Sequence, residues 1–134
     1  MEYIYADTDS VETKYTDLNF IKGVLQKPYQ YWLSGTGDSA IQVKPEERLI
    51  FFKLRQGIFI MQHPDYLAPL IKPAARSAKA VTHHVGGEPM DVPDVCLCNE
   101  EVAFDIIKSY VESGGKMDAK YRWVDIYEYI DYKE

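Results

Sequence analysis

The spacing of apolar residues changes along the chain, and each change of period marks out an element. Leu18, Ile21 and Leu25 fall at i, i+3 and i+7, one face of a short helix. Thr16 stands ahead of them as a capping hydroxyl, and Asp17 suits the positive end of a helix dipole. Pro28 closes this helix, because the residue before a proline avoids the helical region. The aromatic run 29–33 then reads as a strand, followed by turn chemistry in Ser34-Gly-Thr-Gly-Asp38. Apolar runs at 40–43, 49–54 and 58–61 predict three more strands, separated by Lys44-Pro-Glu-Glu47 and Gln56-Gly57. Short runs and glycine-bearing turns make hairpins the economical connection, so an antiparallel meander is expected.

Prolines at 64, 69, 73, 89 and 93 break the next region, which predicts irregular chain or one helical turn over 64–76. A β-branched strand is expected at 78–85, a turn at 86–89 and a short strand at 95–98. The second helix is the best marked element. Asn99 is its cap, Glu100 and Glu101 fill the first turn, and Gly114-Gly115 stand at its end. Ala103, Ile106, Ile107 and Tyr110 form its buried stripe, while Glu101, Asp105, Lys108 and Glu112 form its wet face. A final strand is predicted over 122–132. Alternation puts Val124, Ile126 and Ile130 on one face, and Trp123, Asp125, Tyr127, Tyr129 and Asp131 on the other. No internal repeat interrupts the 134 residues, so a single α+β domain is expected. Its antiparallel sheet should have about five to seven strands, with two main helices packed on it.

Charge refines this picture. The net charge is −6, but residues 1–20 carry −4, residues 21–86 carry +5 and residues 87–134 carry −7. A bare nucleic-acid binder would show a basic stripe, whereas acidic ends suit a basic protein partner, or simply keep the chain soluble. The N-terminus has neither a basic nor an apolar leader segment, and no apolar run approaches the ~20 residues that span a bilayer. With only Cys96 and Cys98, too close on a strand to form a normal disulfide, the expectation is a reduced, cytoplasmic protein.

Candidate chemistry is thin. His63, His83, His84, Cys96 and Cys98 are the residue types that bind zinc, yet adjacent histidines on a strand point apart, and Cys-x-Cys lacks the usual knuckle. The zinc deaminase pattern fails because Glu88 lies four residues beyond His84 rather than two, and the cysteines are too close. Neither Ser34-Gly-Thr-Gly nor Val85-Gly-Gly matches a phosphate loop. No catalytic, cofactor or metal residue is assigned. What remains is the mixture of tyrosines and carboxylates after Trp123. It is either a contact face, since tyrosine gives a rigid surface with a polar tip, or a set of half-buried sheet pairs.

Val85-Gly-Gly-Glu-Pro-Met-Asp-Val-Pro93, a short strand, the helix from Asn99 to Gly115, and then Trp123 together resemble immunity protein family one of bacterial polymorphic toxin systems. The match covers about residues 84–124. It departs at Met117, where a proline often stands, and in the eleven residues after Trp123. The resemblance implies a non-enzymatic cytoplasmic protein that neutralises one cognate toxin domain, without direct contact to nucleic acid or membrane. Such toxins are often nucleases or deaminases, whose clefts are basic. Asp125, Tyr127, Glu128, Tyr129 and Asp131, with Glu88, Asp91 and Asp94, are then the expected contact residues. The rival expectations are a small metal-dependent enzyme using the histidines and cysteines, and a regulatory domain with another partner.

Overall fold

A computed structural model describes residues 2–72 and 79–129. Seven antiparallel strands form the main sheet in the order β2-β1-β3-β4-β5-β6-β9. These are β1 (Tyr3–Ala6), β2 (Glu12–Tyr15), β3 (Ser39–Gln42), β4 (Arg48–Leu54), β5 (Gly57–His63), β6 (Leu67–Pro69) and β9 (Trp123–Asp125). A separate hairpin pairs β7 (Ala80–Val85) with β8 (Glu88–Pro93). The helices are α1 (Asn19–Leu25), α2 (Glu100–Glu112) and the single turn α3 (Ile126–Tyr129). The expected α+β architecture is therefore observed, and β3, β4 and β5 are the predicted meander.

Alternation divides the sheet into two unlike faces. Tyr3, Tyr5, Ile41, Leu49, Phe51 and Ile60 share one face and are buried. The buried stripes of α1 (Ile21, Val24, Leu25) and α2 (Ala103, Ile106, Ile107, Tyr110, Val111) belong to the same hydrophobic cluster. Phe52 and Phe59 face the other way, and Phe52 stacks on His83 of β7, with centroids 4.3 Å apart. The hairpin thus covers one end of this second face, beyond which Ile4, Ala6 and Ile50 are only half-buried.

The asparagine cap of α2 is confirmed: Asn99 Oδ1 accepts from the Val102 N–H at 2.8 Å. Asn99→Ala should cost about 1 kcal/mol in chemical denaturation, the usual value of such a cap. No change in the unfolding midpoint would contradict it.

Other expectations are corrected. Thr16 does not cap α1; Leu18 occupies that position, and Asp17 Oδ1 accepts from Asn19 N instead. Residues 29–33 form a 3-10 turn rather than a strand, which buries Trp32 and leaves Leu33 exposed. Two N-terminal strands were not expected. β2 has no apolar alternation and is held by its ladder to β1. β6 lies in the region read as irregular. β8 runs through the expected turn at Pro89, because a two-stranded hairpin consists only of edges, where proline is tolerated. The expected strand 95–98 is a 3-10 turn, Asp94–Cys96, followed by a bridge from Cys98 to Ile58.

The last strand also stops early. Asp125 Oδ1 accepts from Tyr127 N at 2.9 Å, satisfying a free amide and starting α3. Tyr127 and Tyr129 therefore do not share a strand face with Trp123. Residues 73–78 and 130–134, including Ile130 and Asp131, lie outside the described residues.

A candidate protein-binding groove

The open part of the second sheet face begins at the loop before β3. Thr36 N donates to Thr8 O at 2.7 Å, fixing this loop to the first hairpin. Gly86 N donates to Thr36 O at 2.7 Å, and His83 Nε2 donates to Gly37 O at 2.9 Å. The loop therefore ties the β7–β8 hairpin to the sheet. Gly37 is required here: its φ is 80°, and any Cβ would collide with the His84 carbonyl oxygen.

Between the hairpin and the sheet lies a groove of about 280 Å³. Its floor is Ile50, Phe52 and Met61, and its walls are Val85, Pro89, Met90, Tyr66 and Tyr127. Asp38, Glu88 and His63 are its polar members. A second hollow of about 230 Å³ adjoins it, with Asp38, Ile50 and His63 common to both. That hollow adds the carboxylates of Asp7 and Glu12 and the guanidinium of Arg48. The two hollows together are lined by four carboxylates and one guanidinium.

Tyr66 holds the corner. Its φ of 60° is costly for a bulky side chain, and its carbonyl accepts Ile126 N at 3.1 Å. Its ring meets His63 edge-on at 5.7 Å and Tyr127 edge-on at 5.1 Å. Burial holds the Asp38 carboxyl above the ordinary carboxylate range, against the opposing influence of the Thr36 hydroxyl, Arg48 and His83.

The expected contact residues divide. Glu88 and Tyr127 come together on this groove, and Tyr127 remains 54% exposed. Glu128 is exposed on the same helical turn as Tyr127. Asp125 is half-buried as the cap of α3, and Tyr129 is half-buried against the core. Asp91 accepts from Thr82 Oγ1 at 2.6 Å, one position out of phase with Met90 and therefore on the hairpin's outer side. Asp94 lies beyond the far end of β8, its amide held by Lys79 O at 3.0 Å. Sequence reading missed Asp7, Glu12, Asp38, His63 and Tyr66. The turn at 34–38 was recognised as a turn, but its partners lie far off in sequence.

The candidate zinc residues are dispersed. His83 is buried between Phe52 and Gly37, while His84 is exposed on the opposite face. Cys96 and Cys98 are buried, and burial pushes both thiols up to about 12. No three His, Cys, Asp or Glu side chains converge on a metal position among the described residues. A larger hollow of about 780 Å³ lies at the N-terminus of α2, but its charges are mixed, and Lys53 pairs with Glu100 at 3.1 Å. No helix among the described residues is long and apolar enough to cross a membrane.

Comparison with protein-family models finds no match, and comparison with curated proteins finds none either.

Proposed function

We propose that this chain is an immunity protein, which binds a cognate bacterial toxin domain and neutralises it by covering a basic cleft. The observation that carries this reading is the open sheet face, where an apolar floor is bordered by Asp7, Glu12, Asp38 and Glu88. Such a surface combines contact area with a field that draws a basic partner and rejects an acidic one. The resemblance of about residues 84–124 to immunity protein family one supports the same reading. Within that stretch, Gly86-Gly87 turns the hairpin that walls the groove, and Trp123 is fixed by Nε1 donating to Asp118 O at 2.9 Å. Of these motif elements, the Gly86-Gly87 turn is the one that belongs to the groove's wall, while α2 packs on the other face of the sheet.

Growth of cells expressing the toxic domain encoded beside this gene should be restored by the chain, and the two should co-purify. Glu12→Lys combined with Glu88→Lys should slow association about tenfold at low salt and much less at high salt. Cells that stay arrested beside an abundant, folded chain would overturn the reading.

A further inference from the structure

The apolar part of the open face has a more specific chemistry than general acidity. Its lining contains two carboxylates, Asp38 and Glu88, and neither lysine nor arginine. Two tyrosine rings, Tyr66 and Tyr127, stand beside them, packed edge-on at 5.1 Å. Ile50 and Met90 supply aliphatic surface below. At about 280 Å³ the groove lies at the lower limit of small-molecule pockets, a size suited to one long side chain.

We propose that this groove receives an arginine side chain presented by the partner protein. The aliphatic stem would lie along Ile50 and Met90, while the guanidinium reaches Asp38 and Glu88 beside the tyrosine rings. Arginine fits better than lysine, because its planar guanidinium stacks on aromatic rings and can fork onto a carboxylate. The condition of Asp38 points the same way. Asp38 lines both hollows, and burial raises its carboxyl, so a cation seated beside it would favour its charged form. This inference deepens the proposed function by naming what the surface recognises. It rests on that reading for the identity of the partner, but its chemistry can be tested alone.

The test uses the full chain and a hexa-arginine peptide at pH 7.5, followed by NMR of the Met61 and Met90 methyls and the Ile50 side chain. Saturable shifts at these groups are expected. Glu88→Gln, a change at an exposed site, should weaken binding about fivefold or more, the loss of one charge-assisted contact. Asp38→Asn should do likewise, with thermal denaturation confirming that it folds. Glu101→Gln and Glu112→Gln, on the wet face of α2, should leave binding unchanged. Hexa-lysine should bind more weakly than hexa-arginine. Equal weakening by all four variants, equal binding of both peptides, or shifts that bypass Met90 would overturn the inference. Because no toxin is present, that failure would leave growth rescue intact. Failure of rescue would likewise leave arginine binding intact.

Discussion

Replacing Phe52 with alanine is expected to destabilise the fold by about 3–5 kcal/mol, the usual cost of deleting a fully buried phenylalanine. Phe52 is 0% exposed and lies on the central strand β4. It pairs across strands with Phe59, ring centroids 5.3 Å apart, and stacks on His83 at 4.3 Å with 16° between planes. One ring therefore serves both the sheet and its union with the hairpin. Phe52→Leu keeps most of the volume but loses the flat contact with imidazole, so its cost should be about 1–2 kcal/mol. Denaturant titration measures both losses, and the His83 ring protons report whether the hairpin stays seated. A cost below about 1 kcal/mol for the alanine variant would show that the site collapses around the loss.

Glu47 carries the second large expectation. Its Oε1 accepts from Gln62 Nε2 at 2.9 Å and its Oε2 from the Tyr110 hydroxyl at 2.8 Å, with Lys44 Nζ at 3.2 Å. Gln62 and Tyr110 are only 2% and 1% exposed, so Glu47→Ala strands the Tyr110 hydroxyl and leaves Gln62 Nε2 with Asp65 Oδ2 alone, at 3.3 Å. At about 1–3 kcal/mol for a buried group left unpaired, the loss should be about 2 kcal/mol. The same contacts set a pH dependence. Burial alone would raise the Glu47 carboxyl, but the hydrogen bonds from Gln62, Tyr110 and Lys44 outweigh it and leave it lowered. A carboxyl lowered in the folded state stabilises above its ordinary value of 4.5, and that contribution fades as pH falls through the folded value. Tyr110 behaves in the opposite sense. Burial, aided by Glu47, raises its hydroxyl above the ordinary 10.0, so its contribution holds below pH 10.0 and is lost as pH rises towards the folded value. Stability measured from pH 3 to 6 should fall more steeply in acid for the parent than for Glu47→Gln. Parallel curves would contradict this account.

Helix α2 was legible in the sequence because everything that defines it is local: the Asn99 cap, the acidic first turn, the stripe at helical spacing, and Gly114-Gly115. The meander was legible for a similar reason, as turn residues separate its apolar runs. The C-terminal strand misled because Val124 and Ile126 satisfy strand alternation, while a single carboxylate, Asp125, redirects the chain into α3. β1 and β2 hid because Tyr3 and Tyr5 are buried by elements far along the chain, and β2 buries almost nothing. The groove shows the same limit. Glu88 and Tyr127 could be suspected from residue type, but Asp38 and Tyr66 become neighbours of them only through the pairing of β3 with β4, of β4 with β5 and of β6 with β9.

β2 ends the sheet with Glu12, Thr13 and Lys14 exposed, and Lys14 lies 3.9 Å from Glu2. An outermost strand offers unpaired amides and carbonyls to any second copy, and charged side chains along it discourage that pairing. Glu12 therefore acts twice: it keeps the sheet's border unattractive to copies of the chain, and it adds negative charge to the hollow that it lines.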